Sequence, residues 1–180
     1  MSSASPAAAQ AALHAIRTLA LVGPGASGKT SLAEALLVAA GQIGAPGSLE
    51  RGSTVSDHDP IERRLQHSLA SSVMHLTHAD TLVHLIDTPG AADFAGQALP
   101  ALEAVETAAV VISAPAGIEP MAVRMMEHAA ARHLDRLIIV NKIDAPGVDL
   151  QALLAQIQAD RKSTRLNSSH SQQSRMPSSA

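Results

Sequence analysis

Residues 18–41 read TLALVGPGASGKTSLAEALLVAAG. An apolar run at 19–22 meets a glycine loop, and a helical pattern through Leu32, Leu36 and Leu37 follows as far as Gly41. The order is strand, loop, helix. The loop itself, GPGASGKT at 23–30, fits G-x-x-x-x-G-K-[ST] in the setting that motif requires. Phosphates concentrate negative charge. Backbone N–H groups in a nest at a helix N-terminus surround that charge with donors. Gly23 and Gly28 let the backbone bend and approach closely. Lys29 has the reach for the β- and γ-phosphates, and the Thr30 hydroxyl suits Mg²⁺. The candidate phosphate site is Gly23, Pro24, Gly25, Ala26, Ser27, Gly28, Lys29, Thr30 and Ser31. The bland alternative, a glycine-rich turn, leaves the flanking strand and helix unexplained.

Working outward, residues 41–66 are polar and broken by Gly, Pro and Asp, which predicts a long functional loop. SLASSVMHL and TLVHLID read as two strands joined by a short turn at Ala79 and Asp80. A helix over 101–107 is expected next. AAVVISA is a buried-strand run, EPMAVRMMEHAAARH a helix with Pro120 in its first turn, RLIIVNKID another buried strand, and VDLQALLAQIQ opens a last helix. Strands alternating with helices predict an α/β fold of the P-loop NTPase kind. Its sheet is mostly parallel, with helices on both faces. Met121, Met125 and Met126 read as core packing, His75, His78 and His84 as ordinary strand and turn residues, and IERR at 61–64 as a solvated loop segment.

Two further motifs follow the phosphate loop in order. Asp87 ends the strand TLVHLID, where an acid can hold Mg²⁺, and Gly90 can offer its backbone N–H to a γ-phosphate. Alone, D-x-x-G is weak; after a phosphate loop it gains meaning. NKID, with Asn141, Lys142 and Asp144, ends the strand RLIIV. Asp144 is an acceptor-only carboxylate suited to two neighbouring N–H groups of guanine, which favours GTP over ATP. Lys142 would cover the base, and Asn141 would tie the two loops together.

Taken together, IRTLALVGPGASGKTSLAEALL, RGSTVSDHDP, QHSL, HLIDTPGAADFAG, AAVVISAPAGIE and LIIVNKID resemble the translational GTPases, elongation factor G and its bacterial paralogues, over about residues 15–158. The resemblance implies a GTP/GDP site with Mg²⁺, GTP hydrolysis and the ribosome as partner; a monomer is expected, and the composition and N-terminus point to a cytoplasmic location. The resemblance also implies a hydroxyl Mg²⁺ ligand in the long loop, with Ser68 the first candidate beside Thr30 and Asp87, and Thr54 the second. Lys29 and Gly90 are the implied catalytic residues. The third implied position, the family's usual catalytic histidine, is Ala91 here, and the family's His and Asp are replaced by Pro24 and Ala26. Alanine cannot orient water. Two rival readings therefore stand beside hydrolysis coupled to elongation: a hydrolysis-poor GTP sensor that occupies the ribosomal factor site, and a non-translational GTPase.

Composition sets the remaining bounds. The 180 residues are 46% apolar but only 1% aromatic, so the core rests on Leu, Ile, Val, Ala and Met. There is no cysteine, which excludes disulfides, thiolate zinc sites and cysteine nucleophiles. The net charge of −3 comes without a dense basic run, which argues against direct sequence-specific nucleic-acid binding. No apolar stretch approaches the roughly 18 residues of a membrane span. Residues 1–14 read as a flexible arm, and 15–159 as a partial GTP-binding domain, incomplete at its C-terminal end. Residues 160–180 change abruptly to Ser, Arg and Asn. The codons CGG AAG AGC ACA CGT CTG AAC TCC AGT CAC would encode Arg161 through His170 and resemble a sequencing-library adapter. A disordered, non-native tail is expected there.

Overall fold

The computed structural model describes residues 15–48, 51–56, 62 and 68–159. The expected arm and tail lie outside these residues, as do Ile61, Arg63 and Arg64. The elements are β1 (Ile16–Val22), α1 (Lys29–Ala39), β2 (Ser72–His78), β3 (Thr81–Asp87), a 3-10 turn (Ala92–Phe94), α2 (Ala95–Glu103), β4 (Thr107–Ser113), α3 (Pro120–Ala131) and β5 (Asp135–Asn141). A last helix, α4, spans 150–159.

The strands form one sheet in the order β2-β3-β1-β4-β5. β1 pairs in parallel with β3 and β4, β4 pairs in parallel with β5, and only β2 runs antiparallel, against β3. The β2–β3 hairpin turns on Ala79 and Asp80, both at positive φ, the backbone that a two-residue turn between right-twisted strands demands.

Alternate residues of the central strands feed two cores. Leu21, Ala109 and Val111 pack on Ala33 and Leu37 of α1. Ala20, Val22, Ala108, Val110 and Ile112 pack on the other side against Leu102 of α2, Met125 of α3, and Leu153 and Ile157 of α4. A strand buried on both faces needs a continuous apolar run, which is why LALV and AAVVI show no polar alternation. Met125 is fully buried, with Met121 and Met126 packed beside it, as the helical spacing predicts. Helices thus cover both faces of a mostly parallel sheet. This layering places the ends of β1, β3 and β5 along one edge of the sheet.

Four expectations need correction. The strand expected over 68–76 spans Ser72–His78 instead, with 68–71 outside it. β1 starts three residues earlier than the apolar run, because Ile16, Arg17 and Thr18 pair with Leu82, Val83 and His84. The helix placed over 101–107 runs instead over Ala95–Glu103, with Pro100 inside it. Proline normally argues against a helix interior because it removes a donor. Here the short helix tolerates it, while Thr107 begins β4. Finally, the IERR segment is not solvated throughout. Glu62 is buried, and its carboxylate accepts the backbone N–H groups of Leu69 at 2.8 Å and Ala70 at 3.1 Å.

Candidate functional site

The loop between β1 and α1 can only be built with its glycines. Gly23 has φ +134°, and a side chain there would meet the Val111 carbonyl. Gly28 has φ +92°, and a Cβ would run into the Asn141 amide. Inside the loop lies the Lys29 ammonium, which donates to the carbonyls of Gly23 at 3.0 Å and Pro24 at 2.7 Å. Burial lowers its pKa from 10.5 to about 8, while the charges of Asp87 and Glu119 pull the other way.

Thr30, the second residue of α1, donates its hydroxyl to Asp87 Oδ2 at 2.6 Å. Both side chains are buried. Thr88, which follows Asp87, donates its hydroxyl to the Leu21 carbonyl at 2.8 Å and so fixes the turn after β3 to β1. That turn lies against the phosphate loop. A Cβ on Gly90 would strike both the Lys29 ammonium and the Pro24 carbonyl group, so only glycine permits this approach. Ala91 is half-buried, and its carbonyl accepts the Phe94 N–H at 3.0 Å, opening the 3-10 turn.

From β5 the Asn141 side chain donates to the Ser27 carbonyl at 3.0 Å, and the Lys142 ammonium to the Ala26 carbonyl at 2.8 Å. Lys142 itself sits at φ 57°. Asp144 is exposed in the turn that follows. The geometry is that of a nucleotide site: a donor-rich loop and ammonium, a hydroxyl–carboxylate pair, a glycine turn, and a side-chain group bracing the loop from the third strand end.

The elongation factor Tu GTP-binding domain family matches residues 14–180. The chain belongs to this family. It is 39% identical over 129 residues to an elongation factor G-like protein of Mycobacterium tuberculosis, covering 72% of this chain and 18% of that protein. To peptide chain release factor 3 of Bordetella avium it is 35% identical over 147 residues, covering 79% of this chain and 28% of the relative. A crystal structure from Thermus thermophilus superposes with a TM-score of 0.77 at 38% identity, over 81% of this chain and 22% of that one. The chain therefore spans less than a third of the relatives it matches.

Within this GTP-binding domain the structure brings together Gly23, Pro24, Lys29, Thr30, Asp87, Gly90, Asn141 and Lys142. Ser31 is exposed on α1. Of the two loop hydroxyls, Thr54 is buried in the segment docked on α1, and Ser68 is half-buried before β2. Sequence reasoning missed Glu34, Glu62, Thr88 and Glu119. For Glu34 a signal existed: it shares the inward stripe of α1 with Thr30, Ala33 and Leu37, an odd place for a carboxylate.

Among the described residues no helix is long and apolar enough to cross a membrane.

Proposed function

We propose that the chain is the GTP-binding and GTP-hydrolysing domain of an elongation-factor-G-like translation factor that works on the ribosome. The contact that carries this reading is Thr30 to Asp87 at 2.6 Å. It joins the phosphate-loop helix to the end of β3 beside the glycine turn. Hydroxyl and carboxylate are hard oxygen donors, and both fit Mg²⁺. Bound there, the ion would neutralise charge on the β- and γ-phosphates.

The chain's own residues divide the remaining work. Backbone N–H groups of the 23–28 loop, Pro24 excepted because it has none, and the Lys29 ammonium hold the phosphates. The Gly90 N–H is offered to the γ-phosphate. Asp144 accepts from guanine, Lys142 covers the base, and Asn141 holds the two loops in register. Names such as elongation factor G-like protein and peptide chain release factor 3 support a translational role. They support the ribosome as partner; a monomer working in the cytoplasm is proposed beside it.

A second reading rests on Ala91. The residue after Gly90 has a methyl group where the resemblance implies a histidine, so no side chain there orients the attacking water. This favours a factor that senses GTP and hydrolyses it slowly, or one that receives the missing donor from the ribosome. Single-turnover GTP hydrolysis by the protein, with and without ribosomes, separates the two. Ribosome-stimulated turnover is expected if a donor arrives in trans. No binding of guanine nucleotide at all would remove both readings.

A further inference from the structure

The long loop after α1 is tied down by a group inside the helix. Glu34 is 1% exposed. One oxygen of its carboxylate accepts the Gly47 N–H at 2.8 Å and the other the Val55 N–H at 2.5 Å. These donors sit at the two ends of one loop. Within it, Ser53 donates its N–H to the Ser48 carbonyl at 3.1 Å, and the Ser48 N–H donates to the Ser53 hydroxyl at 3.0 Å. Gly47 is required at the base, because a Cβ would strike the Ser53 and Thr54 backbone. Gly47–Ser48 and Ser53–Val55 are thus held together twice, by the serine pair and by the carboxylate.

A charge this deep is costly unless it is hydrogen-bonded. The two loop N–H groups supply those bonds, and bonds to an ionised acceptor are the strong kind. Carboxylate and loop therefore stabilise each other. Glu34 also lies four residues after Thr30, on the same face of α1 and about 6 Å, just over one turn, below it. The base of the loop is docked one turn beneath the hydroxyl that meets Asp87.

We propose that Glu34 is a positioning residue that ties Gly47 and Val55 to the phosphate-loop helix, so that the Thr54 segment is pre-placed beside the Thr30 end of the site before any nucleotide arrives. A Thr54 segment already held in place costs less to organise when the γ-phosphate half of the site is completed. Glu34 touches no nucleotide in this arrangement. Its effect falls on the triphosphate state and not on the diphosphate. That functional half rests on the GTP reading above; the loop closure does not.

The test uses the full chain and Glu34→Ala and Glu34→Gln variants. Residue-resolved amide exchange reads Gly47 and Val55, and titrations read GDP with EDTA and a non-hydrolysable GTP analogue with Mg²⁺. In Glu34→Ala both amides should lose protection at least about tenfold, the GTP-analogue affinity should fall about tenfold, and GDP affinity should hold. Glu34→Gln keeps one acceptor oxygen and should restore one of the two amides. Unchanged amide protection in Glu34→Ala, or an equal fall for both nucleotides, overturns the proposal. Should Glu34→Ala fail to fold, Gly47→Ala dislodges the loop from its own side and leaves α1 intact. It should show the same split between the nucleotides, and wild-type values for both would again overturn the proposal. Wild-type chain that binds neither nucleotide would defeat the GTP reading, while the exchange measurement still decides the role of Glu34.

Discussion

The side chain of Asn141 donates to the carbonyl of Ser27, 3.0 Å away and 114 residues earlier in the chain. Its own Oδ1 accepts the Lys142 N–H at 2.9 Å. One amide therefore spends its donor on the phosphate loop and its acceptor on shaping the base loop. Gly28 is pressed against the same amide. Asn141→Ala should loosen both halves of the site together. The loss of these two hydrogen bonds predicts a fall in GDP affinity of about tenfold. Titration with a fluorescent GDP checks it, and wild-type affinity would show that the two loops hold their places without the bridge.

Base choice is expected to rest on Asp144. The carboxylate only accepts, and guanine presents two neighbouring N–H groups. An amide can donate where xanthine offers a carbonyl. Asp144→Asn should weaken GTP binding and admit xanthosine triphosphate. Competition among GTP, XTP and ATP reads this directly, and an undiminished preference for GTP would remove Asp144 from the site.

Much of this site is legible in the sequence because its parts are local. The phosphate loop, the D-x-x-G turn and NKID are each a few consecutive residues at the end of an apolar run, so spacing alone places them. The hairpin is legible from the two runs that flank Ala79 and Asp80. What is not legible depends on distance. Glu34 shows in the sequence only as a carboxylate on the inward stripe of α1; its partners Gly47 and Val55, 13 and 21 positions on, carry no such mark. Glu62 reads as solvated because its partners are backbone groups with no side-chain signature. Helix α2 is displaced in the sequence reading because Pro100 argues against the helix that contains it. The choice between Ser68 and Thr54 stays open because their loop carries no periodicity to fix an alignment.

Nucleotide binding should be coupled to a proton through Lys29. Its folded pKa is lowered to about 8, chiefly by burial. Between about 8 and the ordinary 10.5 the unfolded chain holds this proton and the folded chain has released it. The unfolded state thus binds more protons, so the lysine's contribution to stability of the free chain rises with pH across that window. A phosphate against the ammonium favours its charged form. Diphosphate binding should therefore take up a fraction of a proton above pH 8, and affinity should decline as pH climbs through that window. Calorimetry at about pH 8.5 in two buffers of different ionisation enthalpy measures the uptake. Identical heats in both buffers would contradict it, and Lys29→Met should abolish both the uptake and most of the affinity.

Ala91 supplies the sharpest prediction about chemistry. Its position is set by Gly90, which lies against Pro24 and Lys29, and by the carbonyl that opens the 3-10 turn at Phe94. The backbone there is already committed, so what the position lacks is a side chain with a donor or acceptor. Positioned acid–base groups contribute on the order of 100- to 10,000-fold in rate. Ala91→His should raise single-turnover GTP hydrolysis at least about tenfold in the presence of ribosomes, a fraction of that range because the histidine enters an unoptimised setting. GDP affinity should stay at the wild-type value, since the methyl group of Ala91 holds no phosphate in the proposed site. A rate that does not move in Ala91→His, alongside wild-type hydrolysis that ribosomes already stimulate strongly, would mean that the attacking water is oriented from outside this chain. A rate that does not move while the wild type is slow under every condition would mean that the barrier lies elsewhere in the site, and the role assigned to position 91 would be wrong.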